Sequence, residues 1–147
     1  MGNFSLPVIA GGPIVRMVVG ASEPRLAALQ ELGIPEPPLQ FIDALVDTGA
    51  SCTCIDPGVL EALNLTPTGS TEMHTPSTSG VPHQVGVYDV ALNIPGREGD
   101  SPLYIPQIAV MATQLSSQGI KALIGRDILS TCVLVYNGSI GLFTLAF

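Results

Sequence analysis

The sequence is short of basic residues and has no tryptophan. Its 147 residues include five Lys and Arg against twelve Asp and Glu, which gives a formal net charge of -7. The few basic residues are scattered, so nucleic acids and anionic membranes are poor candidates as partners. Only 12% of the residues are charged, whereas 46% are hydrophobic. We therefore expect part of the apolar surface to need a partner.

Long apolar runs are also missing. The first run, MGNFSLPVIAGGPIVRMVV, is broken by prolines and glycines between residues 7 and 13, so neither a secretory signal nor a membrane-spanning helix is predicted. We expect a soluble, cytoplasmic protein. The three cysteines, Cys52, Cys54 and Cys132, are an odd number, which favours free thiols over disulfides. No further ligands at metal-binding spacing accompany Cys52 and Cys54, so we expect no metal and no cofactor.

Proline and glycine punctuate the rest of the chain. Thirteen prolines and sixteen glycines separate short runs of Val, Ile and Leu, which is typical of an all-β domain with many turns. The length fits one domain, residues 1–147. The apolar runs predict strands at 13–20, 39–47, 70–77, 82–93, 103–111, 132–136 and 140–146.

Local signals predict three helices and one hairpin. Ser22 is a candidate N-cap, Pro24 fits the first turn, and Gly33 fits the stop of a helix inside the segment 21–38. Shorter helices are predicted at 57–65 and 125–131. Near the end, Asn137-Gly138 predicts a hairpin with a type I′ turn. Both arms of that hairpin are apolar, so we expect cover on both faces, for which a second subunit is a candidate.

One acidic residue stands at the end of an apolar run. In ALVDTGA, residues 44–50, Asp47 is followed at once by Thr48 and Gly49. Backbone amides of a tight turn can hold such a carboxylate so that it points into a cleft. Because a four-letter motif also occurs by chance, it does not decide the matter alone. A second element, ALIGRDIL at 122–129, follows roughly 75 residues downstream and leads into Gly125 and a short helix.

Together these elements resemble the retropepsin family, the retroviral-type aspartic proteases, and most closely its single-domain bacterial members. The stretch MHTPSTSGVPHQVGVYDV stands where the family has its flap. The resemblance implies an all-β acid protease fold: a closed, barrel-like sheet with a flap hairpin and one or two short helices. It also implies a homodimeric aspartic endopeptidase that acts on peptides or proteins without a metal or an organic cofactor.

The chemistry of this family explains why the acid occurs once. Peptide hydrolysis by this route needs two carboxylates around one water, one as general base and one as general acid. At about 3 Å apart they share one proton. No second D-T-G or D-S-G occurs in the sequence, so the partner of Asp47 is expected to be Asp47 of a second copy.

The resemblance also implies roles for neighbours of the catalytic acid. Thr48 would hydrogen-bond across the two-fold axis, Gly49 would offer its carbonyl to the substrate, and Ala50 would line the cleft. Ile124 and Gly125 would support the catalytic turn from below. The flap tip, which closes over the peptide and excludes water, would consist of Thr75, Pro76, Ser77, Thr78, Ser79 and Gly80.

The sequence departs from the family in ways that leave alternatives open. Many retroviral members carry an acid after D-T-G-A that pairs with the arginine of the G-R segment, but here the position is Ser51. Arg126 therefore needs another partner, for which Asp127 and Asp56 are the candidates. The insertion at 21–38 has no assigned role. The alternatives are a dimeric peptide-binding module of the same fold with little turnover, and a β scaffold in which DTGA only shapes a turn.

Overall fold

Short strands make up most of the regular structure. The structure is a computed structural model and describes residues 1–74 and 81–147. The helices are α1 (Glu23–Glu31), α2 (Pro57–Ala62) and α3 (Arg126–Leu129), and a 3-10 helix covers Ser116–Gln118. The strands are β1 (Asn3–Pro7), β2 (Ile14–Ala21), β3 (Gln40–Val46), β4 (Cys54–Ile55), β5 (Gly69–Met73), β6 (His83–Ile94), β7 (Leu103–Ala112), β8 (Ala122–Ile124), β9 (Val133–Asn137) and β10 (Leu142–Ala146).

The larger sheet closes on itself. Its strand order is β2-β3-β8-β4-β7-β6-β5, and an additional β2–β6 pairing joins the ends of the ring and leaves β5 outside it. Strand β2 closes the ring because it pairs with a neighbour on each side. Val18, for example, pairs with Phe41 of β3 and with Asn93 of β6. This mostly β, closed barrel with few short helices confirms the closed, barrel-like sheet expected from the sequence.

The interior of the barrel is apolar. Alternate residues of β2, namely Val15, Met17 and Val19, point inward and are at most 1% exposed, as the two-residue period of a strand requires. Helix α2 adds the buried side chains Val59 and Leu60. The core therefore lies between the strand faces and α2, directly behind the turn that follows β3.

A second, smaller sheet has the order β1-β10-β9, and we call it the terminal sheet. Phe143 and Leu145 of β10 are fully buried, and Phe143 packs into the main hydrophobic core. On β9, Val133 is 61% exposed and Val135 is 53% exposed. Nothing in the described part of the chain covers this side of β9, so this chain alone does not supply the cover expected there.

Helix α1 begins and ends close to the predicted residues. Ser22 occupies the N-cap position as predicted, but its side chain makes no capping hydrogen bond. Gly33 ends the helix with φ +65°, and the Ile34 N–H donates to the Leu29 carbonyl. None of the helices in the described ranges is long and apolar enough to cross a membrane.

The terminal hairpin turns differently from the prediction. Asn137 pairs with Leu142, so the loop is Gly138 to Gly141, and Gly141 takes φ +65°. A type I′ turn at Asn137-Gly138 is excluded because neither residue has positive φ. Strands β1, β4 and β8 were not predicted from the sequence.

Candidate active site

Asp47 lies in a tight turn directly after β3. Its backbone N–H donates to the Ile124 carbonyl at 3.0 Å, which ties the turn to the end of β8. Its Oδ1 accepts a hydrogen bond from the Gly49 N–H at 2.9 Å, and the Ala50 N–H donates to the Asp47 carbonyl at 3.2 Å. The side chain of Asp47 is half-buried, whereas Thr48 and Gly49 are exposed. The local backbone thus fixes the carboxylate and leaves the rim of the turn open.

The segment that begins α3 crosses beneath this turn. The Arg126 N–H donates to the Ala50 carbonyl at 2.9 Å. A Cβ atom on Gly125 would lie 2.5 Å from the carbonyl carbon of Cys52 and 2.6 Å from its oxygen. Glycine is therefore required by lack of space, since its φ of -90° suits any residue. Ile124 is fully buried, and its carbonyl accepts the hydrogen bond from the Asp47 N–H.

A contact between a buried hydroxyl and an acid joins the segment after the Asp47 turn to the start of α3. This contact was not predicted from the sequence. Thr53 is 0% exposed; its Oγ1 donates to Asp127 Oδ1 at 2.8 Å and accepts from the Gly125 N–H at 3.1 Å. Asp127 Oδ2 accepts from the Thr53 N–H at 2.8 Å. A hydroxyl residue after D-T-G-A and an acid after G-R were the available signals, but no spacing rule connected them.

Arg126 and its expected partners are placed differently from the prediction. Arg126 Nη1 donates to the Thr48 carbonyl at 2.9 Å, so neither Asp127 nor Asp56 is its partner. Both carboxylates are already occupied by backbone and hydroxyl donors. The arginine thereby braces the exposed side of the turn at residues 47–50 through a neutral acceptor, which lacks the strength of a pair with a carboxylate.

Asp56 is a buried carboxylate that joins α2 to the loop after β7. It is 4% exposed and caps α2 by accepting from the Gly58 N–H at 3.0 Å. Its Oδ2 accepts from the Leu115 N–H at 2.9 Å, the Ser116 N–H at 2.9 Å and the Ser116 hydroxyl at 2.7 Å. Burial opposes ionisation, but these hydrogen bonds outweigh it and lower the pKa of Asp56 to about 2.

A pocket of about 390 Å³ opens beside the turn at residues 47–50. Asp47, Gly49, Ala50 and Ser51 line one side of it. Its remaining wall comes from Cys52, Cys54, Met73, His74, Met111, Thr113 and Leu123. Among the lining residues that the structure describes, Asp47 is the single carboxylate, so one chain supplies one acid to this pocket.

The hairpin next to the pocket leads to the expected flap. Strand β5 pairs with β6, and the last pair is Met73 with His83. The proposed flap-tip residues Thr75, Pro76, Ser77, Thr78, Ser79 and Gly80 lie outside the described residues. Among residues 1–74 and 81–147, no group of three or more His, Cys, Asp or Glu side chains is arranged to hold a metal ion.

Comparisons with known proteins agree with this geometry. The family model described as "Aspartyl protease" matches residues 31–128, which include ALVDTGA and all but the last residue of LIGRDIL. A solved structure, the retropepsin-like aspartic protease from Rickettsia conorii, is similar with a TM-score of 0.60 and 15% identity, over 99% of this chain and 91% of that chain. No curated protein sequence matches. Because the family model covers well over half of its length, this chain belongs to the aspartyl protease family, and its fold is retropepsin-like.

Proposed function

We propose that the chain is a single domain of 147 residues that hydrolyses peptide bonds, as an endopeptidase, in a homodimer. The observation that carries the proposal is the half-buried Asp47 carboxylate, fixed by its own turn and by β8 at the wall of an open pocket. Family membership suggests peptide hydrolysis. The chemistry needs two such groups, and each chain brings one.

In the proposed reaction a water molecule lies between Asp47 and its counterpart in the second copy. One carboxylate accepts a proton from the water as its oxygen attacks the scissile carbonyl, while the protonated carboxyl donates to the carbonyl oxygen. Thr48 is exposed beside the acid, where it can reach the second copy, and the exposed Gly49 can offer its carbonyl to an extended peptide. Ala50 forms part of the wall. Residues 75–80 are the proposed flap.

The terminal sheet is the surface we propose for dimerisation. All charged side chains of the sequence lie between Arg16 and Asp127, so β1, β9 and β10 carry none. Two copies with a net charge of -7 each can approach through this sheet with the least repulsion. The exposed Val133 and Val135 would then be removed from water.

The order of the terminal sheet restricts how the copies meet. Strand β10 is paired on both sides, with β1 and with β9, so it has no free edge for a second chain. An interleaved sheet of terminal strands, known from retroviral enzymes, would require β10 to give up one of these neighbours. We therefore place the contact on the outer face and free edge of β9, where unpaired backbone groups and apolar side chains coincide.

The test couples activity to assembly. Wild type should cleave a denatured protein substrate, and Asp47→Asn or a pepstatin-type inhibitor should abolish the cleavage. Val135→Lys should shift the sedimenting species from dimer to monomer and reduce activity in parallel. Ile34→Lys is the matched control because Ile34 is exposed to 49%, lies in the 21–38 insertion and undergoes the same charge change. Cleavage by a strict monomer, or cleavage that survives Asp47→Asn, would contradict the proposal.

The second candidate is a peptide-binding module of the same fold. It is favoured by Ser51 in place of an acid and by the weak neutral contact that Arg126 makes instead. In that case a peptide would bind in the pocket and shield the pocket from solvent. Mass spectrometry would find the peptide intact after long incubation with the dimer.

A further inference from the structure

Sulfur atoms gather on one wall of the pocket beside Asp47. Cys52, Cys54, Met73 and Met111 all line it, although they come from three separate parts of the chain. Their meeting follows from strand pairing, because β4 and β7 run parallel with Cys54 opposite Met111. From the sequence, no metal was expected at Cys52 and Cys54, and the two methionines were given no role. Instead they form a soft, polarisable surface at the candidate active site.

The distance between two of these sulfur atoms suits metal coordination. Cys52 Sγ lies 3.8 Å from Met111 Sδ. Two sulfur ligands at about 2.3 Å from one ion, separated by a tetrahedral angle, would be about 3.8 Å apart. Cys52 is only half-buried, so its thiol can be reached from the pocket. Met73 Sδ, 3.7 Å from the Thr113 hydroxyl, and the neighbouring His74 line the same pocket and offer a further donor.

We propose that this wall binds a soft monovalent cation, Cu(I), through Cys52 and Met111, with Met73 or His74 as a third ligand. Thioether and thiolate sulfur select Cu(I), whereas zinc sites use His, Cys or carboxylates. The described residues hold no cluster of three such zinc-type ligands, which argues against a zinc site here.

The charge of the site matches a monovalent ion. On binding, the Cys52 thiol releases its proton to solvent and its sulfur bonds the Cu(I). No electron is transferred, and one thiolate neutralises one positive charge.

Occupancy has a consequence that depends on the proposed peptidase function. A copper ion between Cys52 and Met111 would occupy part of the pocket that Asp47 also lines. A peptide side chain could then no longer enter beside the catalytic turn. Cu(I) is therefore expected to inhibit cleavage at one ion per chain.

The binding experiment is independent of catalysis. The full-length protein is titrated anaerobically with Cu(I) in competition with a chromophoric Cu(I) chelator. We expect one ion per chain, and a loss of affinity of at least roughly tenfold in both Cys52→Ser and Met111→Leu. Met111→Leu conserves volume, so it tests the thioether without emptying the core. Cys132→Ser is the matched control, because Cys132 is also half-buried but does not line the pocket.

The outcomes separate cleanly. Unchanged affinity in Met111→Leu, or a loss of binding in Cys132→Ser, would overturn the site. X-ray absorption should show sulfur at about 2.3 Å from the ion, and a sulfur-free ligand shell would overturn it as well. Inhibition of wild type but not of Cys52→Ser, each compared with its own copper-free rate, supports blocking of the pocket. If no peptidase activity exists, the proposed function fails, while the titration still decides the site.

Discussion

Replacement of Asp56 by asparagine should reduce stability in a pH-dependent way. The carboxylate accepts hydrogen bonds from Gly58, Leu115 and Ser116. In Asp56→Asn the amide nitrogen would face backbone donors where an oxygen now accepts, so at least one N–H would lose its partner. The two segments that Asp56 joins, the start of α2 and the loop before the 3-10 helix, would then be held less firmly.

The magnitude follows from linkage between protonation and folding. The pKa of Asp56 falls from 3.8 to about 2 on folding. At about 1.4 kcal/mol for each pKa unit, ionisation of Asp56 stabilises the folded state by roughly 2 kcal/mol at neutral pH. Because the folded-state pKa is the lower one, this contribution is complete above about pH 4 and is lost as the pH falls through about 2.

Urea unfolding of wild type and Asp56→Asn between pH 7 and pH 2 checks the prediction. At pH 7 the variant should be less stable by about 2 kcal/mol or more, which is roughly 4–8 °C in Tm for a chain of this size. The difference should shrink as the pH approaches 2. Asp43→Asn is the control, since Asp43 forms only an exposed pair with Arg16 at 3.2 Å and should cost less than about 1 kcal/mol. A difference that stays constant from pH 7 to 2 would refute the reasoning.

Three further substitutions test the turn and the terminal hairpin. Gly125→Ala should lower the free energy of unfolding by about 1–3 kcal/mol, because the added Cβ would overlap with the Cys52 backbone. Gly69→Ala is the control and should be near neutral, because nothing lies within 4 Å of a Cβ at that position. Equal urea midpoints for the two variants would contradict this reasoning. Thr53→Val keeps the shape of the side chain but removes the acceptor of the Gly125 N–H. Chemical denaturation should therefore show a free energy of unfolding lower by about 1–3 kcal/mol. Gly141→Ala, at φ +65°, should cost about 1–2 kcal/mol in a thermal melt, and no shift in Tm would argue against that backbone conformation.

The long elements of the fold were predictable from local pattern. Strands β2, β6 and β7 appear as apolar runs between glycines and prolines, and their predicted ends differ from the observed ones by about one residue. Strands β4 and β8 were missed because two or three residues are too few to show a period. Strand β1 exists through its pairing with β10 at the far end of the sequence, which no local signal records. The turn of the last hairpin was misplaced because Asn137-Gly138 is a stronger local signal than the lone Gly141 that takes positive φ.

Within the candidate site, the sequence identified the parts whose chemistry is local. Asp47, Gly49 and Gly125 stand in short motifs, and the structure brings these motifs together. The contact between Thr53 and Asp127 joins residues 74 positions apart and could be found only once the chain was folded. The partner of Arg126 was wrong for a related reason, since sequence reasoning considered only carboxylates while the folded turn presents the Thr48 carbonyl.

The absence of charge from the terminal sheet bears on how the proposed dimer would respond to its surroundings. No opposite charges attract across that surface, while the rest of each molecule is acidic. Salt would therefore favour assembly, because ions screen long-range repulsion over a distance that is about 8 Å at physiological ionic strength. At a fixed protein concentration, the activity of the proposed dimer would then rise with ionic strength, whereas an enzyme held together by surface ion pairs would lose activity as salt is added.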